Sequence, residues 1–145
     1  EIDLCWRIQR AGYKIFVEPE SIVYHLGGGT LPMGDKRKLY LNFRNNLVML
    51  SKNLPFLELI WKIPFRIFLD VVAGLQALMK GNGVALISII HAHLDFLEWI
   101  FIGERAHKYP KIKMKNLGGV FEGSVAWKYF VRKKRTFSEI VNVKK

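Results

Sequence analysis

The sequence has one cysteine, no long uncharged run, and only two acidic residues in its last 41. Each scarcity excludes something. Cys5 stands alone, so no intrachain disulfide forms and a reducing compartment is the simpler assumption. It reads as a small buried residue on a helix rather than a catalytic thiol. No uncharged stretch exceeds 14 residues, the length of Gly81–Leu94, whereas a spanning helix needs about 20 apolar residues. No transmembrane helix is expected on that count. There is no Asp-x-Asp motif, no glycine loop followed by Lys-Ser/Thr, no dinucleotide fingerprint and no signal-peptide pattern.

What is present is apolar and basic. Half of the 145 residues are hydrophobic, with ten Phe and four Trp, which excludes a disordered chain. Residues 105–145 carry 12 Lys/Arg against 2 Asp/Glu, whereas residues 1–104 carry 11 against 10. Nearly all of the net +11 therefore lies in the last 41 residues. Such a block requires an anionic partner: a lipid leaflet, a nucleic acid or a phosphorylated substrate.

The first thirty residues carry most of the chemistry. Ile2, Cys5 and Ile8 recur at helical spacing and Gly12 marks the helix end. Asp3 and Arg7, four apart, pair along one face. Glu1 sits at the helix start, where backbone N–H groups favour a carboxylate. Lys14–Val17 and Ser21–Tyr24 read as short strands separated by Glu18-Pro19-Glu20. His25 follows the second, and the chain opens into Gly27-Gly28-Gly29. Without Cβ atoms this loop lets a backbone approach a phosphate closely; a plain flexible loop is the alternative.

Further on, Lys38–Leu54 predicts a helix with a core stripe of Leu39, Phe43, Leu47, Leu50 and Leu54. Arg44, among Asn42, Asn45 and Asn46, is either part of a solvated face or a guanidinium for a diphosphate. From Pro55 to Lys80, Glu58, Lys62, Arg66 and Asp70 recur every four residues in an otherwise apolar helix. So wide an apolar face suits a helix lying in a membrane interface. Pro64 either starts a second helix or kinks the first. Gly81-Asn82-Gly83 predicts a turn, and Val84 to about Lys108 the returning helix of an antiparallel hairpin. His91 and His93, two apart, face different ways and do not chelate one ion together. Ser124 caps a short basic and aromatic helix over Val125–Arg132, a mixture suited to anionic headgroups or single-stranded nucleic acid.

The opening stretch resembles the C-terminal part of the catalytic domain of family 2 glycosyltransferases, in the rhamnosyl- and galactofuranosyl-transferase branch. The resemblance rests on Glu1, Asp3-Leu4, Arg7, Gly12-Tyr13, Pro19, Val23-Tyr24-His25-Leu26-Gly27-Gly28, and Tyr40, Arg44, Asn45 and Leu47. It implies an α/β fold: the end of a Rossmann-like GT-A domain over residues 1–54, an amphipathic helical hairpin over 55–109, and a basic aromatic tail over 110–145. It implies Glu1 as catalytic base and His25 as a ligand of Mn²⁺ or Mg²⁺. Gly27, Gly28, Gly29 and Arg44 would serve the donor diphosphate or the acceptor, with Asp3 and Arg7 as support. The function so implied is transfer of a sugar from a nucleotide-sugar donor to a cell-envelope or lipid-linked glycan, at the cytoplasmic face of the plasma membrane. The nucleotide-binding half would precede Glu1, so a fragment without turnover of its own is expected. The alternative is a non-catalytic module that binds an anionic membrane surface, with nucleic acid the less favoured partner.

Overall fold

In the computed structural model, which describes residues 2–24, 35–103, 110–121, 123–125 and 127–141, every regular element is helical. The helices are α1 (Ile2–Arg10), α2 (Lys36–Asn53), α3 (Phe56–Met79), α4 (Gly83–Ile102) and α5 (Phe137–Val141). The chain divides into two compact units, Glu1–Lys113 and Met114–Lys145. The α/β class expected from the sequence is therefore corrected to all-α, since no strand occurs among the described residues.

The error has a physical source. The turn at Glu18-Pro19-Glu20 forms, with the Ser21 N–H donating to the Glu18 carbonyl at 3.2 Å. Its two arms, Lys14–Val17 and Ser21–Tyr24, make no ladder. Phe16, Val17, Ile22, Val23 and Tyr24 stand 76–95% exposed. β-Branched and aromatic residues favour a strand only where a neighbouring strand and a covered face exist to pack against. Among the described residues neither is present.

The helices follow their local signals. Gly12 ends α1 at φ +90°, where a Cβ would be strained, and the Tyr13 N–H returns to the Ile8 carbonyl at 3.2 Å. The Asp35 carboxylate caps α2 by accepting from the N–H groups of Arg37 and Lys38 at 2.8 and 3.0 Å. This moves the start two residues ahead of the expected Lys38. α2 stops before Leu54-Pro55, as the residue ahead of a proline is driven out of the helical region. Pro64 lies inside α3 and neither starts nor ends it, although it has no N–H to offer the Ile60 carbonyl. Asn82 caps α4 through the Ala85 N–H at 3.1 Å. α4 ends at Ile102, short of the expected Lys108.

In the first unit α4 lies against both α2 and α3, α2 also meets α3, and α1 lies on α2. Leu47, Leu54, Ala92 and Phe96 form the centre, each at most 2% exposed. α3 and α4 approach closely at Gly74, where an added Cβ would come within 2.9 Å of Leu86 Cδ1. α1 is anchored by polar groups. Asn53, 2% exposed, donates its amide to Asp3 Oδ1 at 2.7 Å and to the Met49 carbonyl at 3.0 Å. Its oxygen accepts from the Arg10 guanidinium at 3.0 Å, and Arg10 Nε donates to the Pro110 carbonyl at 2.9 Å. One amide thus bridges an acid and a base of α1 to the end of α2.

In the second unit Ser124 caps the turn as expected, accepting from the Trp127 N–H at 3.1 Å. The segment forms a five-residue π-type turn, Trp127–Val131, rather than an α-helix. α5 starts with a reciprocal cap: Glu139 accepts from the Thr136 N–H at 3.1 Å while Thr136 Oγ1 accepts from the Glu139 N–H at 3.4 Å. Among the described residues of this unit, Leu117 and Ile140 are buried.

Two variants test this packing. Gly74→Ala is expected to be close to neutral, because the flexible Leu86 end yields and the helix gains up to about 1 kcal/mol in propensity. Gly74→Leu overpacks the crossing and is expected to destabilise by about 1–3 kcal/mol. Asn53→Leu is expected to destabilise by about 1–3 kcal/mol, through the buried Arg10 and Asp3 groups it strands. Urea unfolding of each variant against wild type measures all three.

Candidate functional site

The residues expected to act on a sugar donor are only partly brought together. Glu1, His25, Gly27, Gly28 and Gly29 lie outside the described residues. Asp3 and Arg44 line one cleft of about 760 Å³ between α1 and α2, together with Asn42, Asn45, Asn46 and Lys52. Arg7 Nε donates to Asp3 Oδ2 at 2.9 Å, the expected pair, on a largely exposed face where it is worth a few tenths of a kcal/mol. Burial works to raise the Asp3 carboxyl, but the Asn53 amide and then Arg7 outweigh it and hold it below the ordinary range. The sign follows: Asp3 adds stability above its unfolded-chain value, and that share is lost as the pH falls through the lowered one. Arg44 donates to Asn45 Oδ1 at 3.1 Å, and its Nε is buried without a partner. Among the described residues no three His, Cys, Asp or Glu side chains converge as a metal ion requires.

The larger feature lies on the hairpin. The charged stripe Glu58, Lys62, Arg66 and Asp70 does not face water. Lys62 bonds Glu58, both less than one-fifth exposed, and Arg66 bonds Asp70 at 2.8 Å with Asp70 2% exposed. Arg66 also lies 5.7 Å from the centre of the Phe43 ring of α2. The apolar residues point outward instead. On α3 Phe56, Leu57, Trp61, Phe65, Phe68 and Leu75 are each more than half exposed; on α4 Ile87, Leu94, Phe101 and Ile102 are as well. This inverts the usual arrangement of a surface helix in water. Among the described residues α4 alone is long and apolar enough to cross a bilayer, by length and composition, at 20 residues and a mean hydropathy of 1.6. The sequence reading missed this because Asp95 interrupts the uncharged run at Leu94. Asp95 is engaged inward, accepting from the Tyr40 hydroxyl of α2, and that bond raises the Tyr40 pKa above its ordinary value.

His91 and His93 do part company, as their spacing requires. His91 is exposed, while His93 turns inward with Nε2 3.4 Å from Asp70 Oδ2. His93 Nδ1 lies 2.7 Å from the Ile89 carbonyl, so Nδ1 carries a hydrogen. His93 Nε2 and Asp70 Oδ2 are both buried without a hydrogen-bond partner. Burial raises the Asp70 carboxyl above the ordinary carboxylate range, Arg66 and then His93 offsetting part of the rise. The folded chain therefore holds the Asp70 proton more tightly than the unfolded one. That stability is complete below the unfolded value, about 4, and is lost as the pH rises through the raised value. Thermal unfolding across pH should show wild type losing stability relative to Asp70→Asn over this upward range.

No family model, curated protein or solved structure matches the chain. With an all-helical fold and no family match, the resemblance to family 2 glycosyltransferases, and the GT-A domain it implied, does not hold.

Proposed function

We propose that this protein is a non-catalytic, peripheral membrane-binding module, whose α3–α4 hairpin lies in the interfacial layer of an anionic membrane. The observation that carries the reading is the inverted α3: its four charges are paired and turned inward while its aromatic and aliphatic side chains face out. Contiguous exposed apolar surface of this kind marks an interaction site. Lipid rather than protein fits it better, because the face extends along two long helices and carries bulky side chains throughout. Trp61, 57% exposed on this face, presents the large amphipathic ring that interfacial positions favour. The twelve basic residues in 105–145 supply the attraction to acidic headgroups, each cation contributing about 1 kcal/mol near the surface.

The test is co-sedimentation of the full chain with lipid vesicles. Vesicles rich in anionic lipid should carry it down, and purely zwitterionic ones should do so more weakly. Phe68 and Leu75 lie on one face of α3, 61% and 54% exposed, so replacing them leaves the core intact. Each contributes about 1.5–3 kcal/mol when buried. The double variant Phe68→Asp, Leu75→Asp should therefore partition at least about tenfold more weakly while unfolding at an unchanged urea midpoint. A chain that stays in the supernatant with both vesicle types, or one that binds only oligonucleotides, overturns the reading.

A further inference from the structure

The second unit carries an apolar surface that its own fold leaves uncovered. Among its described residues only Leu117 and Ile140 are buried, while Val125, Trp127, Phe130 and Val131 are each more than half exposed. Three of these four lie on the π-type turn Trp127–Val131. The Arg132 N–H returns to the Trp127 carbonyl at 3.1 Å, so Trp127 and Val131 fall about one turn apart. The chain then folds back on this turn. Lys133 takes φ +56°, a left-handed backbone uncommon outside glycine, and the Lys134 N–H donates to the Lys128 carbonyl at 3.0 Å. The Arg135 guanidinium comes to lie 4.5 Å from the centre of the Tyr129 ring. Four consecutive cations, residues 132–135, are thereby held against the turn that carries the exposed rings. Glu139 sits beside Lys134 and offsets part of its charge. Arg132 and Lys133 form no ion pair among the described residues, and residues 114–145 together hold eight Lys/Arg against two Asp/Glu.

We infer that this turn is a second membrane anchor: Trp127, Phe130 and Val131 enter the interfacial layer of an anionic leaflet while the cations of residues 132–135 meet its headgroup phosphates. The inference rests on the membrane reading for its target, although none of its residues belongs to the hairpin. A tryptophan flanked by cations suits the boundary between acyl chains and headgroups. A single strand of nucleic acid fits less well. Bases stack on open rings, but Tyr129 already has Arg135 against it, and Val125 and Val131 offer acyl contact rather than a stacking face. Two anchors in one chain make the second binding event intramolecular. Loss of either then weakens attachment without abolishing it.

The experiment uses the full chain and vesicles of phosphatidylglycerol with bromine on the acyl chains, which quenches tryptophans that reach the bilayer. In the variant Trp61→Phe, which removes the exposed tryptophan of α3, these vesicles should quench a component that disappears with the further change Trp127→Phe. Trp127→Ser with Phe130→Ser should partition at least about tenfold more weakly into anionic vesicles. Its urea midpoint should be unchanged, because both side chains are exposed. Arg132→Gln with Lys133→Gly should weaken binding to anionic vesicles by a similar factor and leave binding to zwitterionic ones unchanged. Glycine suits the left-handed position, so the turn keeps its shape. The quenching needs only conservative changes and decides the matter should the serine pair fail to fold.

Vesicle binding with Trp127 unquenched, or with the serine pair binding as wild type does, sinks the second anchor and leaves the hairpin reading standing. Quenching of Trp127 with binding undiminished in Phe68→Asp, Leu75→Asp does the reverse. Quenching of Trp127 by a single-stranded oligonucleotide and not by brominated lipid overturns the anchor in favour of nucleic acid.

Discussion

The first unit depends on a buried polar contact centred on Asp70. Asp70, almost without solvent, sits between Arg66 of its own helix and His93 of α4. An unpaired carboxylate in that position would be strongly destabilising, so the contact fixes the rotation of α3 about its axis. Once Asp70 faces inward, Lys62 and Glu58, two turns and three turns earlier, are carried to the same side. The outward side of α3 is then necessarily Phe, Leu, Val and Trp. Breaking the contact would remove the reason for α3 to present that face.

A second polar anchor holds the other side of the unit. Asn53 joins Asp3, Arg10 and the end of α2, and it thereby shapes both neighbouring cavities. On one side is the amide-rich cleft containing Asp3 and Arg44; on the other is an apolar groove beginning at Ser51 and Lys52. The cleft offers hydrogen bonds from three amides, a guanidinium and an ammonium group. The groove offers apolar contact surface. Neighbouring regions of one helix thus provide environments of opposite polarity, because the i, i+3, i+4 spacing sends Asn42, Asn45 and Asn46 away from the face that carries Leu47 and Leu54.

Much of the helical architecture was legible in the residues. α2, α3 and α4 follow from apolar periodicity, and their ends from Pro55, Gly81 and Asn82. The Asp3–Arg7 pair and the divergence of His91 from His93 follow from helical geometry alone. The strands did not materialise, since Lys14–Val17 and Ser21–Tyr24 carry strand-like side chains but acquire no partner. Asn53 and Arg10 were missed because an amide at a helix stop and an arginine on a short helix look like surface residues in a sequence. Only a partner distant in the chain makes either of them part of the core. The cleft around Arg44 was half visible: the polar crowding was evident, whereas its meeting with Asp3 required α1 to fold back over α2.

The residues by themselves determined the helices, their caps, the four-residue spacing of the α3 charges and the concentration of positive charge beyond residue 104. These are local properties, set by backbone sterics, side-chain periodicity and formal charge. Tertiary structure alone decided that the α3 stripe turns inward and the aromatic side outward, that Asp70 shares its surroundings with His93, and that Lys52 and Lys111 line one apolar groove. Each of those outcomes depends on groups far apart in the chain removing one another from water, and periodicity carries no information about which face of a helix will be covered.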